Sequence, residues 1–444
     1  MTQQLTMKRN HAIDIFQAGL KAVEPGAAIR HYCQLKGNLL SVDETPYDLQ
    51  RFEKIYVLGA GKAAASMAKA IEGMLGERIT SGIISVKYGH IEALHQVRIQ
   101  EAGHPVPDEN GISGAQEIYR LASSADEKTL VLCLISGGGS ALMPLPVAGV
   151  SLEDKQETTK VLLSCGATIH EINTIRKHLS LIKGGGLAKA VFPATLVTLI
   201  LSDVVGDDLD SIASGPCVPD PTTFNDCLTI FEKYAIGSQI PLSVQEYISQ
   251  GINGQVTETP KIGQDFFKKT QNVIVASNFN ALLKAKEKAE TLGYNTLMLS
   301  SMLEGETRDV AGNHLAIARE IFKHGLPLKP PACLLSGGET TVKIKGSGKG
   351  GRNQEFTLAA ALKMKGMDNI LVLSAGTDGN DGPTDAAGAF ADNSTVERAL
   401  AMGLEPLKYL NNNDSYNFFD KLDDLYKTGP TNTNVMDVRI ILIC

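Results

Sequence analysis

The chain has 444 residues, of which 43% are hydrophobic and 20% charged, the balance of a globular protein with two or three domains. A formal net charge of -7 and the lack of a long basic run argue against a dedicated nucleic-acid binder. The sequence has no signal-peptide core, no run of roughly 18 apolar residues and no CxxC among its seven cysteines, so we expect reduced thiols in a cytoplasmic protein.

In the first half of the chain, predicted strands alternate with predicted helices. Residues 10–36 have apolar residues at helical spacing, and the predicted strands that follow cover residues 54–58, 79–86, 130–135 and 194–201. Helices are predicted over residues 111–123, 153–170 and 173–190. This alternation predicts a parallel α/β sheet with helices on both faces.

The second half is predicted to be a separate α/β domain. Turn-rich and polar segments between residues 215 and 262 indicate a boundary, which we place so that the domains cover residues 1–245 and 246–444. Beyond it, the predicted strands are residues 271–276, 295–299, CLLSGG, ILVLSAG and the closing MDVRIILI, with helices over 278–292 and 305–324. ETTVKIKG is typical of a hairpin-like antiparallel piece, so this sheet is expected to be mixed.

Four buried strands end in very small residues followed by a polar loop or a helix start. They are VLGAGKAA, CLISGGGSA, CLLSGGETT and LVLSAGTDG. Ligands of open α/β sheets bind outside the carboxyl ends of the strands, where free backbone N–H groups attract anions. A single glycine turn can be only a tight connection, but four together predict a phosphate-rich or carboxylate ligand.

Two cations are placed in glycine-rich turns. Lys62 lies within GAGKAA, where it opposes the dipole of the following helix and suits a bound anion. The same segment fits the dinucleotide fingerprint, although the next strand ends in VKYG without the expected acidic residue. Arg352 follows GKGG, where a guanidinium can bind an oxyanion in bidentate fashion or stay exposed on a flexible loop. The sequence contains no P-loop motif.

Carboxylates follow two of the predicted strands. Asp203 comes directly after the strand that ends at Leu201, where it can act as a general base toward a hydroxyl or as a Mg²⁺ ligand. Asp378 and Asp381 lie in the glycine loop GTDGNDG. Mg²⁺ with phosphate and a metal-free turn are equally compatible with that loop.

The segment NTIRKHLSLIKGGG predicts a helix that starts at the N-cap Asn173. Arg176 and Lys183 then share one helical face, which either binds an anion or is simply exposed. His104 is held among turn residues in AGHPVPDENG, where a structural and a ligand-binding role are both open.

In sequence, these segments resemble the glycerate 2-kinase family with a MOFRL C-terminal domain, some members of which are labelled hydroxypyruvate reductase. The segments that resemble it most are VLGAGKAAASMA, AGHPVPDENG, LISGGGSALMPLP, NTIRKHLSLIKGGGLA, LSDVVGDDLDSIASGP, LLSGGETTV, GKGGRNQEF and AGTDGNDGPTDAAGA. The resemblance implies ATP-dependent phosphorylation of the 2-hydroxyl of D-glycerate, with Mg²⁺ or another divalent cation. It also implies a Rossmann-like parallel-sheet domain and a mixed-sheet MOFRL domain, both three-layered, with the active site in the cleft between them.

The resemblance also suggests roles for individual residues. The essential lysine and arginine of the family correspond to Lys62 and Arg352, which we expect to bind the glycerate carboxylate and the transferring phosphoryl, and an aspartate corresponds to Asp203. We predict nucleotide or phosphate binding by Ser136, Gly137, Gly138, Gly139, Ser140, Gly337, Gly338, Glu339 and Thr340. We predict substrate binding by Gly61, His104, Arg176, Lys183 and Asn353, and metal binding by Asp378 and Asp381.

Two other functions stay open at this point. An NAD(P)H-dependent hydroxypyruvate reductase would use the GAGKAA fingerprint, and a non-catalytic sugar-acid sensor would use two α/β lobes. In each case the expected partners are small molecules, here D-glycerate and ATP, with neither nucleic acid nor membrane. We expect a monomer or a homodimer.

Overall fold

The computed structural model describes residues 3–444 of the chain. Within them the helices are α1 Gln3–Ala22, α2 Pro25–Tyr32, α3 Ala64–Leu75, α4 Glu109–Ser123, α5 Gly139–Leu142, α6 Leu152–Ser164, α7 Ile169–His178, α8 Gly186–Val191, α9 Phe224–Lys233, α10 Leu242–Ile252, α11 Asn278–Thr291, α12 Thr307–His324, α13 Arg352–Ala361, α14 Thr395–Ala401, α15 Pro406–Asn411 and α16 Ser415–Leu422. The strands are β1 Cys33–Lys36, β2 Leu39–Val42, β3 Thr45–Asp48, β4 Lys54–Ala60, β5 Ser81–Lys87, β6 Val97–Ala102, β7 Thr129–Ile135, β8 Thr195–Leu201, β9 Thr270–Ala276, β10 Asn295–Leu303, β11 Ala332–Gly338, β12 Ile370–Gly376, β13 Gly388–Asp392, β14 Leu425–Tyr426 and β15 Asp437–Ile443.

The chain forms two compact units. The parallel-sheet unit comprises Pro25–Ser202 and Asp207–Val275, and the mixed-sheet unit comprises the residues up to Glu24, Asp203–Gly206 and Ala276–Cys444. These limits differ from the predicted boundary at residues 245 and 246, which falls inside α10. The difference arises because β9 extends the first sheet, whereas α1 packs on α11 of the mixed-sheet unit.

The first sheet has the strand order β6-β5-β4-β7-β8-β9, and the pairs from β6 to β8 are all parallel. From β4, the chain continues to β5 and β6 on one side, and β7 and β8 then add on the other side. The strand order therefore reverses between β4 and β7, which is where such sheets bind ligands. Ala60 at the end of β4 is in register with Ile135 of β7, so the turns that follow both strands meet.

A group of helices belongs to the same unit and has its own core. Helices α6, α7, α9 and α10 bury, among others, Leu162, Ile175, Phe231 and Val244 against one another. Each such aliphatic or aromatic side chain contributes about 1.5–3 kcal/mol by leaving water. This core fixes α7, which carries Arg176, relative to α6.

The second sheet is mixed and has the order β10-β11-β15-β12-β13-β14, with β10 and β11 parallel and the other pairs antiparallel. Alternate residues of β11 enter opposite cores: Leu334 packs with α12 and α13, and Leu335 with α1 and α11. The predicted α/β class, with a parallel N-terminal sheet and a mixed C-terminal sheet, is confirmed.

Several local predictions were wrong. The helix predicted over residues 10–36 is interrupted between Ala22 and Pro25, and it gives way to the strand Cys33–Lys36. That strand begins a three-stranded antiparallel sheet, β1-β2-β3, that the sequence did not indicate. The hairpin expected in ETTVKIKG is a loop with one isolated bridge at Thr341, because its glycine-rich continuation packs on residues 412–415 instead.

Candidate functional site

The turns after β4 and β7 are joined by backbone hydrogen bonds. The Lys62 N–H donates to the Gly137 carbonyl at 2.9 Å, and the Ser136 N–H donates to the Ala60 carbonyl at 3.1 Å. The Ser136 hydroxyl accepts from the Ala63 N–H at 3.0 Å, just before α3 begins. These bonds fix the backbone of Lys62 at the point where the strand order reverses.

The glycines of these turns have different neighbours. A side chain at Gly61, whose φ is +142°, would overlap Ser136, and one at Gly139 would meet Ala213 at 3.0 Å. These two glycines are therefore explained by packing within the protein. Gly138, at φ +86°, faces functional groups instead: an added Cβ would lie 2.9 Å from His104 Cδ2 and 3.5 Å from Lys62 Cε. The missing side chain of Gly138 leaves room for these two groups.

His104 is half-buried next to Lys62. Burial, reinforced by the charges of Lys62 and Lys87, lowers the pKa of His104 to about 4. The imidazole is therefore neutral at physiological pH and can exchange hydrogen bonds with an anion without adding charge.

Two buried lysines donate hydrogen bonds to the segment that follows Gly138. Lys183 Nζ donates to the carbonyls of Ser140 at 2.6 Å and Met143 at 3.2 Å, and Lys155 Nζ donates to that of Pro144 at 2.9 Å. Burial is the main cause that lowers the pKa of Lys183 well below its ordinary value. The segment from Ser140 to Pro144 is thus held by two ammonium groups that bond only to neutral carbonyls.

The helix predicted over residues 173–190 was wrong. Helix α7 starts instead at Ile169, after the N-cap Thr168, whose hydroxyl accepts from the Glu171 N–H. Asn173 is therefore an interior residue, and Lys183 lies in the turn beyond the helix rather than on a helical face with Arg176. The Thr168–Glu171 capping box is a signal in the sequence that would have placed the helix correctly.

Burial lowers the pKa of Lys155 and of Lys183, and the charge of Arg176 adds to the effect on both lysines. On the same helix as Arg176, Asn173 Oδ1 accepts from the Ser214 hydroxyl at 3.1 Å, and that hydroxyl lies 3.0 Å from Ser140 Oγ. Sequence reasoning missed Lys155, Asn173 as a side-chain contact, and Ser214. No local pattern around Lys155 marks it, since it is one lysine of an ordinary amphipathic helix.

In the mixed-sheet unit, Arg352 is the first residue of α13 and is held by two ion pairs. Its Nε donates to Asp437 at 2.8 Å and its Nη1 to Glu339 at 2.7 Å. Although burial favours the neutral guanidine, the carboxylate of Asp437 raises the pKa of Arg352 above its ordinary value. Asp437 also accepts from the buried Arg439 at 2.9 Å. Sequence reasoning missed Asp437 and Arg439, although two charges within the apolar MDVRIILI run were a usable signal.

The remaining residues predicted to bind phosphate in this unit are engaged in packing. A side chain at Gly337 would overlap Asn278, and one at Gly338, at φ +114°, would overlap the backbone of Leu303. The buried Thr340 hydroxyl accepts from Arg439 and donates to Thr307 at 3.1 Å. These positions are explained by contacts inside the unit, and Glu339 serves as a partner of Arg352.

Asn353 and Asp381 are both engaged in hydrogen bonds within the mixed-sheet unit. Asn353 is fully buried, donates to Asp437 at 2.8 Å and accepts from the Ser374 hydroxyl at 2.6 Å, so it positions Asp437. Asp381 is also buried, and its two oxygens accept the N–H groups of Asn353 and Gln354 at 3.0 and 2.8 Å, which caps α13.

The predicted Mg²⁺ residues Asp378 and Asp381 already accept hydrogen bonds from the protein backbone. The oxygens of Asp381 are occupied, and Asp378 Oδ1 accepts from the Asn380 N–H at 3.0 Å. Across residues 3–444, no group of three or more His, Cys, Asp or Glu side chains could hold a metal ion. The assignment of Asp378 and Asp381 to a divalent cation therefore stays a prediction.

Asp203 follows the carboxyl end of β8, as predicted, and is half-exposed. Its segment Asp203–Gly206 belongs to the mixed-sheet unit, although the strand before it belongs to the parallel-sheet unit.

Taken together, these observations define a class of α/β proteins in which glycine-rich turns and a lysine follow the carboxyl ends of a parallel sheet. Comparison with known families narrows this class. The domain of unknown function DUF4147 matches residues 11–249, and the MOFRL family matches residues 332–437. None of the helices within the described residues is long and apolar enough to cross a membrane.

Relatives and a solved structure extend the match to nearly the whole chain. The chain is 44% identical to the D-glycerate 2-kinase of Thermotoga maritima over 97% of each chain. A crystal structure of a glycerate kinase from Thermotoga maritima superimposes with a TM-score of 0.89 at 42% identity, covering 99% of this chain and 100% of that one. A protein of Agrobacterium vitis, 44% identical over 87% of this chain and 86% of its own, is provisionally named a hydroxypyruvate reductase. The chain belongs to the DUF4147–MOFRL family of glycerate kinases, which confirms the family recognised from the sequence.

Proposed function

We propose that the protein transfers the γ-phosphoryl group of ATP to the 2-hydroxyl of D-glycerate, giving 2-phosphoglycerate and ADP. The observation that carries the proposal is a group of four basic side chains around the turn after β7, namely Lys62, Lys155, Arg176 and Lys183. Within residues 3–444, none of them forms an ion pair with a carboxylate. A reaction that brings together a nucleotide and a hydroxy acid needs this surplus of positive charge.

We assign the neutralisation of the transferring phosphoryl group to Lys62. Its backbone is fixed by Gly137, and its side chain lies against Gly138 and the neutral His104. Because phosphoryl transfer depends mainly on positioning and charge stabilisation, a cation held in this way lowers the barrier. His104 can donate or accept a hydrogen bond at the same place without repelling Lys62.

Asp203 and Arg352 complete the proposed machinery. We assign Asp203 to orienting and deprotonating the 2-hydroxyl of glycerate, since a carboxylate is a suitable general base for a hydroxyl. The ion pairs of Arg352 with Asp437 and Glu339 hold its guanidinium in one orientation, from which its remaining N–H groups can bind anionic oxygens. No step is assigned to a metal ion.

The test is a reaction with ATP and D-glycerate in which the position of the phosphate is identified. Enolase without a mutase converts 2-phosphoglycerate, but not 3-phosphoglycerate, to phosphoenolpyruvate. We expect ADP to form in an amount equal to the sum of 2-phosphoglycerate and phosphoenolpyruvate. Oxidation of NADH with hydroxypyruvate in the absence of ADP release would instead favour a reductase.

Three variants then test the assigned roles. Lys62→Ala, Asp203→Ala and Arg352→Ala should each lower kcat by at least about 100-fold, the scale of a lost electrostatic or acid–base contribution. Lys69→Ala, on the exposed side of α3, and Arg319→Ala on α12 are controls that should retain normal rates. Near-normal kinetics in all three test variants would refute the assignment.

A further inference from the structure

Two adjacent cations of helix α7 differ in whether they have carboxylate partners. Lys177 is buried and is paired with Asp210 at 2.9 Å and Asp220 at 3.2 Å. Arg176 is half-buried, yet in the part of the chain that the structure describes its guanidinium has neither a carboxylate partner nor a hydrogen-bond acceptor. Removing a charge from water without a partner is costly, so a position like that of Arg176 is best explained by a partner that comes with a ligand.

The charges closest to Arg176 make its position more costly. Burial, followed by the charge of Arg176, lowers the pKa of Lys155 to about 7, and Lys183 is affected in the same direction. Both lysines are occupied with the carbonyls of Ser140, Met143 and Pro144, which are neutral and do not compensate the charge. One bound anion beside Arg176 would compensate its guanidinium and would favour the charged forms of Lys155 and Lys183.

Neutral donors lie on the same face of α7 as Arg176. Asn173 is three residues before Arg176 on α7 and therefore on the same face. Its Oδ1 accepts from Ser214, which leaves its amide N–H₂ without an acceptor among residues 3–444. The Ser214 hydroxyl in turn contacts Ser140, so these donors border the segment that begins at Gly138.

We propose that Arg176, assisted by the Asn173 amide, binds the carboxylate of the acceptor and so makes the enzyme selective for 2-hydroxy acids over neutral hydroxy compounds. This inference rests on the proposed function. A guanidinium presents two parallel N–H groups that match the two oxygens of a carboxylate, and a neutral amide in place of that carboxylate leaves the cation uncompensated.

The arrangement also separates the two anionic groups of the reaction. Lys62 lies beside Gly138 at one end of a three-residue segment, and Arg176 is linked to Ser140 at the other end by way of Asn173 and Ser214. In a 2-hydroxy acid the carboxylate is bonded to the carbon that carries the reacting hydroxyl. The proposal therefore requires the carboxylate bound by Arg176 to lie within reach of the phosphoryl group stabilised by Lys62.

The experiment compares Arg176→Gln with wild type and with Arg120→Gln. Arg120 is exposed on α4 and serves as the matched control. We expect the KM for D-glycerate to rise on the order of ten- to a hundred-fold in Arg176→Gln, which is the worth of a charge-assisted hydrogen bond. The KM for ATP should change less than about two-fold, and Arg120→Gln should match wild type.

Selectivity supplies a second readout. Wild type should be inhibited much more strongly by D-lactate, which has the C2 configuration of D-glycerate, than by D-lactamide, and Arg176→Gln should bind both about equally. Arg176→Lys keeps the positive charge but loses the two parallel N–H groups of the guanidinium, so it should show part of the preference for the acid that Arg176→Gln loses. An unchanged glycerate KM, an equal or larger rise in the KM for ATP, or an unchanged preference for the acid would each overturn the proposal.

The failure of this inference can be told apart from failure of the proposed function. If wild type forms no 2-phosphoglycerate, the proposed function fails whatever the variants do. If wild type is active and Arg176→Gln behaves like Arg120→Gln, only the role of Arg176 fails. Should Arg176→Gln not fold, as judged by circular dichroism, calorimetric titration of Arg176→Lys with D-glycerate decides: wild-type affinity overturns the proposal, and weakened affinity supports it.

Discussion

Replacing Gly138 by alanine should weaken ATP binding as well as lower stability. The residue has a φ of +86°, and the new Cβ would lie 2.9 Å from His104 Cδ2 and 3.5 Å from Lys62 Cε. The imidazole must therefore move away by a few tenths of an ångström, and the room left for an anion beside Lys62 shrinks. We expect Gly138→Ala to weaken ATP binding more than glycerate binding, because Lys62 and His104 lie where we place the phosphoryl group.

The size of the effect has two parts. An alanine in a left-handed conformation costs about 1–2 kcal/mol relative to glycine, whatever surrounds it. Moving His104 adds an overpacking cost of about 1–3 kcal/mol. If this second part acts on the bound phosphoryl group, kcat/KM for ATP falls roughly ten- to a hundred-fold, since 1.4 kcal/mol corresponds to a factor of ten.

Gly149 provides a matched control for the backbone. Its φ is +84°, almost the same as that of Gly138, but no atom lies within 4 Å of the position an added Cβ would take. Gly149→Ala should therefore lose about 1–2 kcal/mol of unfolding free energy and keep wild-type kinetics. Urea denaturation gives the first quantity, and initial rates at varied ATP and varied D-glycerate give the second.

The result that would refute this reasoning is equal behaviour of the two variants. If Gly138→Ala and Gly149→Ala lose similar stability and both keep normal kinetic constants, the space at Gly138 has no role in binding. A rise in the glycerate KM alone would also contradict the placement, because it would move the acceptor to Lys62 and His104.

Two further predictions concern buried charges. Lys155→Met should stabilise the ligand-free protein at pH 6 in urea denaturation, since it removes a buried ammonium whose pKa is lowered to about 7. Lys155→Met should also reduce the dependence of the unfolding free energy on pH. Between about pH 7 and 10.5, the unfolded wild type holds the Lys155 proton and the folded wild type does not, so wild-type stability rises with pH in this range. Asp437→Asn should lower the unfolding free energy by roughly 3–5 kcal/mol in urea denaturation, because it leaves the buried Arg439 without its carboxylate. Wild-type stability of Asp437→Asn, or a Lys155→Met variant with an unchanged pH profile, would show that these charges are compensated elsewhere.

The sequence predicts the strands and their turns well because both signals are local. Runs such as VLCLI are apolar without alternation, which is typical of strands covered on both faces, and the glycines that follow mark their ends. The position of Lys62 at the carboxyl end of β4 follows from the same local signals. Only the parallel register, with Ala60 opposite Ile135, decides that the turns after β4 and β7 interlock.

The partners of the site residues could not be predicted in this way. The packing of the helical group formed by α6, α7, α9 and α10 positions Lys155, Arg176 and Lys183. The periodicity of these helices shows which face of each helix is buried, but not which element packs against that face. Likewise, Asp437 is separated by 85 residues from Arg352, with which it forms an ion pair. Contacts of this kind depend on topology, which residue patterns do not encode locally.

The glycine turns show that two similar sequence motifs can have different roles. CLISGGGSA and CLLSGGETT look equivalent, and both predict a phosphate site. In the second, Gly337 and Gly338 make room for Asn278 and the backbone of Leu303, so packing accounts for both. In the first, Gly138 makes room for Lys62 and His104. The same residue type thus serves packing in one turn and access to charged groups in the other.

The two units also differ in whether their buried basic side chains have carboxylate partners. Arg352 and Arg439 share Asp437, so the cations of the mixed-sheet unit are stabilised by the protein itself. Lys155, Arg176 and Lys183 have no such carboxylate within residues 3–444, and the folded chain bears the cost of holding them together. Because any anion that binds there recovers part of this cost, the same arrangement that weakens the ligand-free unit strengthens its affinity for an acidic substrate. The absence of a carboxylate is therefore as informative about the ligand as the presence of the cations.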